Sequence, residues 1–383
     1  MFKKIVVLLL VLMGVFSIVG YCYCAEEISM GWYGPLTGPN SLSGTASKNA
    51  AALAIEQINS KGGINGYKIK LIVYDDKSSP EEAVNAVTRL VSVDGVHCIV
   101  GSLHSGNILA SAPVVEKAQI PEIGTGTSPV WLQKGYKYLF RSLPNSDLGN
   151  IRLSGVMKEM GVTRVGVLRL SDEYGKVGAT DLIDRLKEKG IETVVEESHD
   201  NNDIDFTGQI TKIMNTGIDG FVIYTTGEYI GLIMRQIRQL GYDGYVYGTE
   251  GFTLPEVREI AGPAANGAIY NCAYVIPDTP EDATNELEKQ FLLSYMDKYG
   301  NMPESDNSYR AYDAVKIFEE AISNANSLEG PAIRDAIENI TNFEGLAGTF
   351  NFKGNHGEGI SACRIYVIED GKNVVYEKWV KNN

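Results

Sequence analysis

Two short stretches carry residue types from which binding chemistry can be built. They are Gly101-Ser102-Leu103-His104-Ser105-Gly106-Asn107 and Gly124-Thr125-Gly126-Thr127-Ser128-Pro129. Each follows an apolar, strand-like run, Cys98 to Val100 and Ile120 to Ile123, and each precedes a segment that reads as a helix. Small hydroxyl residues in such a turn cap the helix by accepting its free N–H groups. Other N–H groups of the turn then point at whatever anion sits outside. Two such turns side by side, at the carboxyl ends of parallel strands, would make a pocket for a small anionic group such as a carboxylate.

Catalytic chemistry finds less support. Ser105 beside His104 invites a hydrolase reading, but adjacent residues rarely supply a nucleophile–base hydrogen bond. The strained G-x-S-x-G elbow is missing, because Leu103 stands at its first glycine position. The chain has no phosphate loop, no H-E-x-x-H and no paired acid–base motif, so neither an enzyme nor a cofactor is expected. His97, Cys98 and His104 are close in sequence. Strand alternation, however, sends the neighbours His97 and Cys98 to opposite faces, which argues against a shared metal.

The elements that must position these turns alternate regularly. Ile28 to Tyr33, Ile69 to Tyr74 and Cys98 to Val100 read as strands, and Ala46 to Ile58 and Pro80 to Val93 as helices between them. The same rhythm resumes after Pro144. Strands over Arg164 to Arg169, Glu192 to Glu196, Gly220 to Thr225, Tyr245 to Tyr247 and Ala268 to Cys272 alternate there with further helices. Alternation of this kind means right-handed crossovers and mostly parallel sheets covered on both faces. Two similar lobes are expected rather than one large sheet. Long helical patterns after residue 280, without matching strands, suggest that the chain returns to complete the first lobe. Closing strands are expected over Ser361 to Ile368 and Val374 to Lys378.

A chain of 383 residues can support two full cores, and its 44% hydrophobic and 21% charged content is ordinary for a soluble protein. The net charge of −14 argues against nucleic acid or an anionic membrane as partner, since both demand a basic face. Lys3 and Lys4 before the apolar run Ile5 to Val19 read as a secretory signal, with residues 1–25 removed. Bulky Tyr21 and Tyr23 precede Cys22 and Cys24, so a cleaved soluble protein is favoured over lipid attachment at either cysteine. Cys98, Cys272 and Cys363 are odd in number and widely spaced, and read as free buried thiols.

Several motifs taken together resemble a known family. Gly34-Pro35-Leu36-Thr37-Gly38-Pro39, Ile58-Asn59-Ser60-Lys61-Gly62-Gly63-Ile64-Asn65-Gly66 and Tyr74-Asp75-Asp76 resemble the type I periplasmic solute-binding proteins of ABC importers. Within them the similarity is to the leucine/isoleucine/valine-binding group. It continues through Gly101 to Gly106, Thr127-Ser128-Pro129, Tyr174-Gly175, Arg235-Gln236 and Gly248-Thr249-Glu250-Gly251. The resemblance implies an α/β fold of two parallel-sheet, Rossmann-like lobes joined by three crossover strands, near 142–145, 271–275 and 355–362. Residues 26–143 with 274–358 would form one lobe, and 144–273 with 359–383 the other. It also implies a monomer outside the cytoplasmic membrane, in the periplasm or at the cell surface. Such a monomer closes on a small ligand and presents it to a membrane permease and its ATPase.

By the same resemblance Ser105 and Thr127 bind an amino acid carboxylate, while Glu250 and the Thr125 carbonyl receive its α-ammonium. Tyr174 lines the cleft from the second lobe. Thr226 falls where the group has a tyrosine that assists the ammonium, with Glu228 and Tyr229 as alternatives. The side-chain pocket falls at Ser43, Leu103, His104 and Asn307, of which only Leu103 is apolar. An aliphatic ligand would strand those polar groups at about 1–3 kcal/mol each. The resemblance implies an amino acid of the branched-chain type, a polar or small side chain being at least as compatible with these residues, with short amides or urea, or a ligand-sensing module, as alternatives. Trp32, Tyr33, Tyr309 and Tyr312 read as core rather than cleft. The two cysteines that form the group's disulfide correspond to Ser78 and His104, so that bridge is absent.

Overall fold

The computed structural model describes residues 27–382 except 39, 228, 361 and 362. The leader, Cys22, Cys24 and Glu228 lie outside the described residues. Strands β1 (Ile28–Gly34), β2 (Ile69–Asp75), β3 (Cys98–Gly101), β4 (Glu122–Gly124) and β5 (Leu139–Arg141) form a parallel sheet in the order β2-β1-β3-β4-β5. The second sheet holds β6 (Arg164–Leu170), β7 (Glu192–His199), β8 (Gly220–Tyr224), β9 (Tyr245–Gly248) and β10 (Ala268–Cys272). A hairpin, β11 (Phe343–Glu344) with β12 (Thr349–Phe350), stands apart from both sheets. Strands β13 (Arg364–Glu369) and β14 (Lys372–Val375) finish the second sheet, whose order is β14-β13-β10-β9-β8-β6-β7. β6 to β10 are parallel to one another, and β13 and β14 run antiparallel at the edge. The fold is α/β with two parallel-sheet lobes.

Helix periodicity explains the layers. In Pro80–Ser92 the proline sits in the first turn, where its missing N–H costs nothing, and Ala83, Ala86, Val87 and Leu90 form the buried face. The helices Glu286–Tyr299, Asn307–Ala325 and Gly330–Glu338 have no strands of their own sheet. Their apolar faces, including Phe291, Leu292, Val315, Phe318, Ile333 and Ile337, join Ile28, Met30, Val100 and Ile123 of the first sheet in one core. Burying one such aliphatic side chain stabilises the fold by about 1.5–3 kcal/mol, which is what returns this late segment to the first lobe.

Some expectations fail at element boundaries. The stretch Val374 to Lys378 is not one strand: β14 ends at Val375 and Tyr376–Asn382 is helical. The segment after the second turn is a helix of only four residues, Val130–Gln133. β5 and the hairpin β11–β12 are strands that sequence periodicity missed, because runs of two or three residues are too short to display a period. Trp32, Tyr33, Tyr309 and Tyr312 are core residues, and Cys98, Cys272 and Cys363 are free and buried. None of the described helices is long and apolar enough to cross a membrane.

Candidate functional site

The strand orders fix where a site can form. In the first sheet the order reverses between β1 and β3, and in the second between β6 and β8. Loops after the carboxyl ends of strands diverge at such points and leave a crevice. One cavity, with about 540 Å³ of empty space including the part open to solvent, is built from loops of this kind on both sheets. Asn40 and Ser43 follow β1, Leu103 to Ser105 follow β3, and Thr127 follows β4. From the other side come Asp172 and Tyr174 after β6, Thr226 and Gly227 after β8, and Glu250 and Gly251 after β9. The start of the helix Asn307–Ala325 closes one wall with Asp306, Asn307 and Arg310.

Nine residues singled out from sequence therefore meet in this cavity: Ser43, Leu103, His104, Ser105, Thr127, Tyr174, Thr226, Glu250 and Asn307. Thr125 does not line it. Its hydroxyl donates to the Ser102 carbonyl at 3.1 Å, and its own carbonyl accepts from Arg310 Nη1 at 2.9 Å. The oxygen assigned to a ligand ammonium is thus already engaged by a guanidinium. Tyr229 is also not a cleft residue, since it is buried in the second lobe's core.

The two turns are held differently from simple helix caps. His104, not a serine, stands at the N-cap of Ser105–Ala118 and makes no side-chain cap bond. The Ser105 hydroxyl instead accepts the Ser128 N–H at 3.1 Å, so the first turn grips the second directly. This requires glycine at 126, where a Cβ would lie 2.8 Å from Ser105 Oγ. The first turn is anchored below by buried Asp76, which accepts Ser102 Oγ at 2.6 Å, Asn107 Nδ2 at 2.8 Å and the Ser78 N–H at 2.9 Å. His104 Nε2 lies 3.1 Å from Ser78 Oγ, so a hydrogen bond joins the pair that the resemblance related to a disulfide.

The second turn is clamped by Arg141, which is fully buried. Its Nη1 donates to the Gly126 carbonyl at 2.6 Å and its Nη2 to the Ser128 carbonyl at 2.7 Å, which orients Thr127 between them. Arg141 stacks on Trp131 at 4.2 Å and pairs with Glu358 at 3.0 Å. Burial lowers its pKa to about 10 against the opposing pull of Glu358, so it stays charged at neutral pH. Glu358 also accepts from Asn145 Nδ2 at 3.1 Å, and the Thr127 carbonyl accepts the Ser146 N–H at 2.9 Å. The grip on the cavity-lining turn is therefore continuous with the segments that lead into the second lobe.

Glu250 opens a short 3₁₀ turn directly after β9. Burial raises its pKa, while the charge of Arg310 and the Thr127 hydroxyl act the other way. Tyr174 is buried with its hydroxyl 2.7 Å from Thr249 Oγ1, and the glycine after it is needed because a Cβ there would meet the Leu170 carbonyl at 2.1 Å. Among the cavity-lining residues not singled out from the sequence are Asp172, Asp306 and Arg310. Arg310 pairs with Asp306 four residues before it, and both are buried in the cavity wall. In sequence an (i, i+4) acid–base pair reads as a solvated helix face.

The family model for periplasmic binding proteins matches residues 27–373. The chain belongs to that family. Within it the chain is a type I periplasmic binding protein of the branched-chain amino acid group. A leucine-, isoleucine-, valine-, threonine- and alanine-binding protein of Pseudomonas aeruginosa is 27% identical over 344 residues, 89% of each chain. The crystal structure of a leucine binding protein LivK from Thermotoga maritima superposes with a TM-score of 0.81 at 27% identity. It covers 91% of this chain and 97% of its own. The substrate binding protein LivJ of Streptococcus pneumoniae, solved in complex with isoleucine, gives 0.81 at 26% identity, covering 91% and 98%. These relatives are solute-binding proteins.

Proposed function

We propose that the protein is the extracytoplasmic substrate-binding component of an ABC importer that captures an amino acid in the interlobe cavity. Residues 26–143 with 274–358 and 144–273 with 359–383 act as the two lobes, and ligand contacts to both exist only in the closed form. The observation that carries this reading is the cavity itself. Hydroxyl groups of Ser105 and Thr127 from one lobe face the Glu250 carboxylate from the other, with Tyr174 beside it. That pairing of an anion-binding turn with a buried acid suits a zwitterion, because each buried charge of the ligand meets a partner. The relatives' names support an amino acid as ligand.

Apart from the groups proposed to meet the ligand's two charges, the cavity lining is largely polar, with Asn40, Ser43, His104, Asp172 and Asn307 against Leu103 and Leu254. This favours a polar or small side chain over leucine or isoleucine. A permease and its ATPase are the implied partners. A thermal-shift panel of amino acids, short amides and urea tests the reading. One amino acid should raise the unfolding temperature in a saturable way and without turnover. Stabilisation by amides or urea alone would replace the amino acid with a neutral ligand.

A further inference from the structure

Asn307 is 7% exposed, lines the cavity, and its Oδ1 has no hydrogen-bond partner. The orientation of this amide is set by its surroundings. Its Nδ2 faces Ser305 Oγ at 3.1 Å and Asp306 Oδ1 at 3.5 Å. Ser305 in turn donates toward Asp306 Oδ1 at 3.5 Å and accepts the Asn307 N–H at 3.2 Å, so its oxygen serves as an acceptor. Flipping the amide would press its oxygen against a carboxylate oxygen, leaving two acceptors without a hydrogen between them. Oδ1 is therefore the amide atom left without a protein partner, on a residue that lines the cavity. Across the same space Thr226 Oγ1 is also buried without a partner. Asp172, on that side, has one carboxylate oxygen held by the Gly175 N–H at 2.8 Å.

An unpartnered buried acceptor destabilises any complex that leaves it dry. We infer that Asn307 selects a ligand whose side chain ends in an N–H or O–H donor: a hydroxyl, a carboxamide or an amine. This rests on the amino acid reading above and narrows it. A methyl group at the same place fills the space but leaves Oδ1 unpaired, whereas a carboxylate places a second acceptor against it.

Calorimetric titration of the full chain with near-isosteric pairs tests the inference. Threonine should bind more tightly than valine, or asparagine more tightly than leucine and aspartate, by at least about tenfold. Asn307→Leu should abolish that preference, and Asn307→Asp, which keeps an acceptor, should preserve it. A thermal unfolding curve for each variant establishes that it is folded, and the ratio of affinities is the readout. Equal binding of donor and methyl isosteres by the unaltered protein overturns the inference while leaving an amino acid receptor in place. An unchanged ratio in Asn307→Leu overturns the assignment to this residue. Failure of every amino acid to bind overturns both readings.

Discussion

Arg310 Nη1 donates to the carbonyl oxygen of Thr125 at 2.9 Å, joining residues 185 positions apart. The contact ties the last long helix of the first lobe to the turn beneath Thr127. It also engages the carbonyl that the resemblance assigned to a ligand ammonium, a role that the proposed function therefore gives chiefly to Glu250.

Arg310→Met should therefore strand Asp306, which is 5% exposed, as a buried carboxylate without its partner. Breaking one side of such a pair costs about 3–5 kcal/mol. Denaturant unfolding should show that loss, and Arg310→Met combined with Asp306→Asn should recover part of it. A single variant as stable as the parent would show that the pair does not hold the wall.

Ligand affinity should fall as the medium is acidified. Burial raises the pKa of Glu250 in the ligand-free protein, and a bound ammonium favours its ionised form. Binding then releases a proton in the window just below the raised pKa. Affinity climbs with pH through that window and levels off above it. Titrations in buffers of different ionisation enthalpy should detect the proton. Glu250→Gln should weaken amino acid binding by several kcal/mol and flatten the pH profile.

Removing one hydroxyl from the anion-binding turns should have unequal effects. Thr127→Val deletes a cavity-lining hydroxyl that the proposed function gives to the ligand carboxylate, and should cost about 1–3 kcal/mol of binding. Ser105→Ala deletes a cavity-lining hydroxyl proposed to bind the ligand and also the acceptor of the Ser128 N–H, so it should lower thermal stability as well. Equal unfolding temperatures for the two variants would argue that the link between the turns is weak.

A buried acid outside the cavity lining sets a pH trend in stability. Glu122 is 0% exposed and accepts the Tyr33 hydroxyl at 2.7 Å. Burial raises its pKa from 4.5 to about 8, against the Tyr33 hydrogen bond. The folded chain thus holds this proton more tightly than the unfolded chain. Its stabilising contribution is complete below about pH 4.5 and is lost as the pH rises towards 8. Glu122→Gln keeps an acceptor for Tyr33 without the charge. It should raise the thermal midpoint at pH 8, by about 2–4 °C per kcal/mol, and leave it unchanged near pH 4.

Periodicity along the chain was enough to determine the alternating elements, because a 3.6-residue or two-residue repeat of apolar side chains survives without knowledge of neighbours. It also placed the long helices after residue 280 on the first lobe, since they lacked strands to cover. The motifs, read by resemblance, named nine of the residues that meet in one cavity. What periodicity missed was short or non-local. β5 and the hairpin were too brief to show a repeat, and Arg141 and Arg310 belong to no motif that singles them out. Their roles depend on carbonyl oxygens brought near by the sheet order, at Gly126 and Ser128 for one and Thr125 for the other. The two hydroxyl-rich turns were visible as loops after strands. That Ser105 grips Ser128 rather than capping its own helix was decided in three dimensions, where adjacent parallel strands bring their following loops within hydrogen-bond reach.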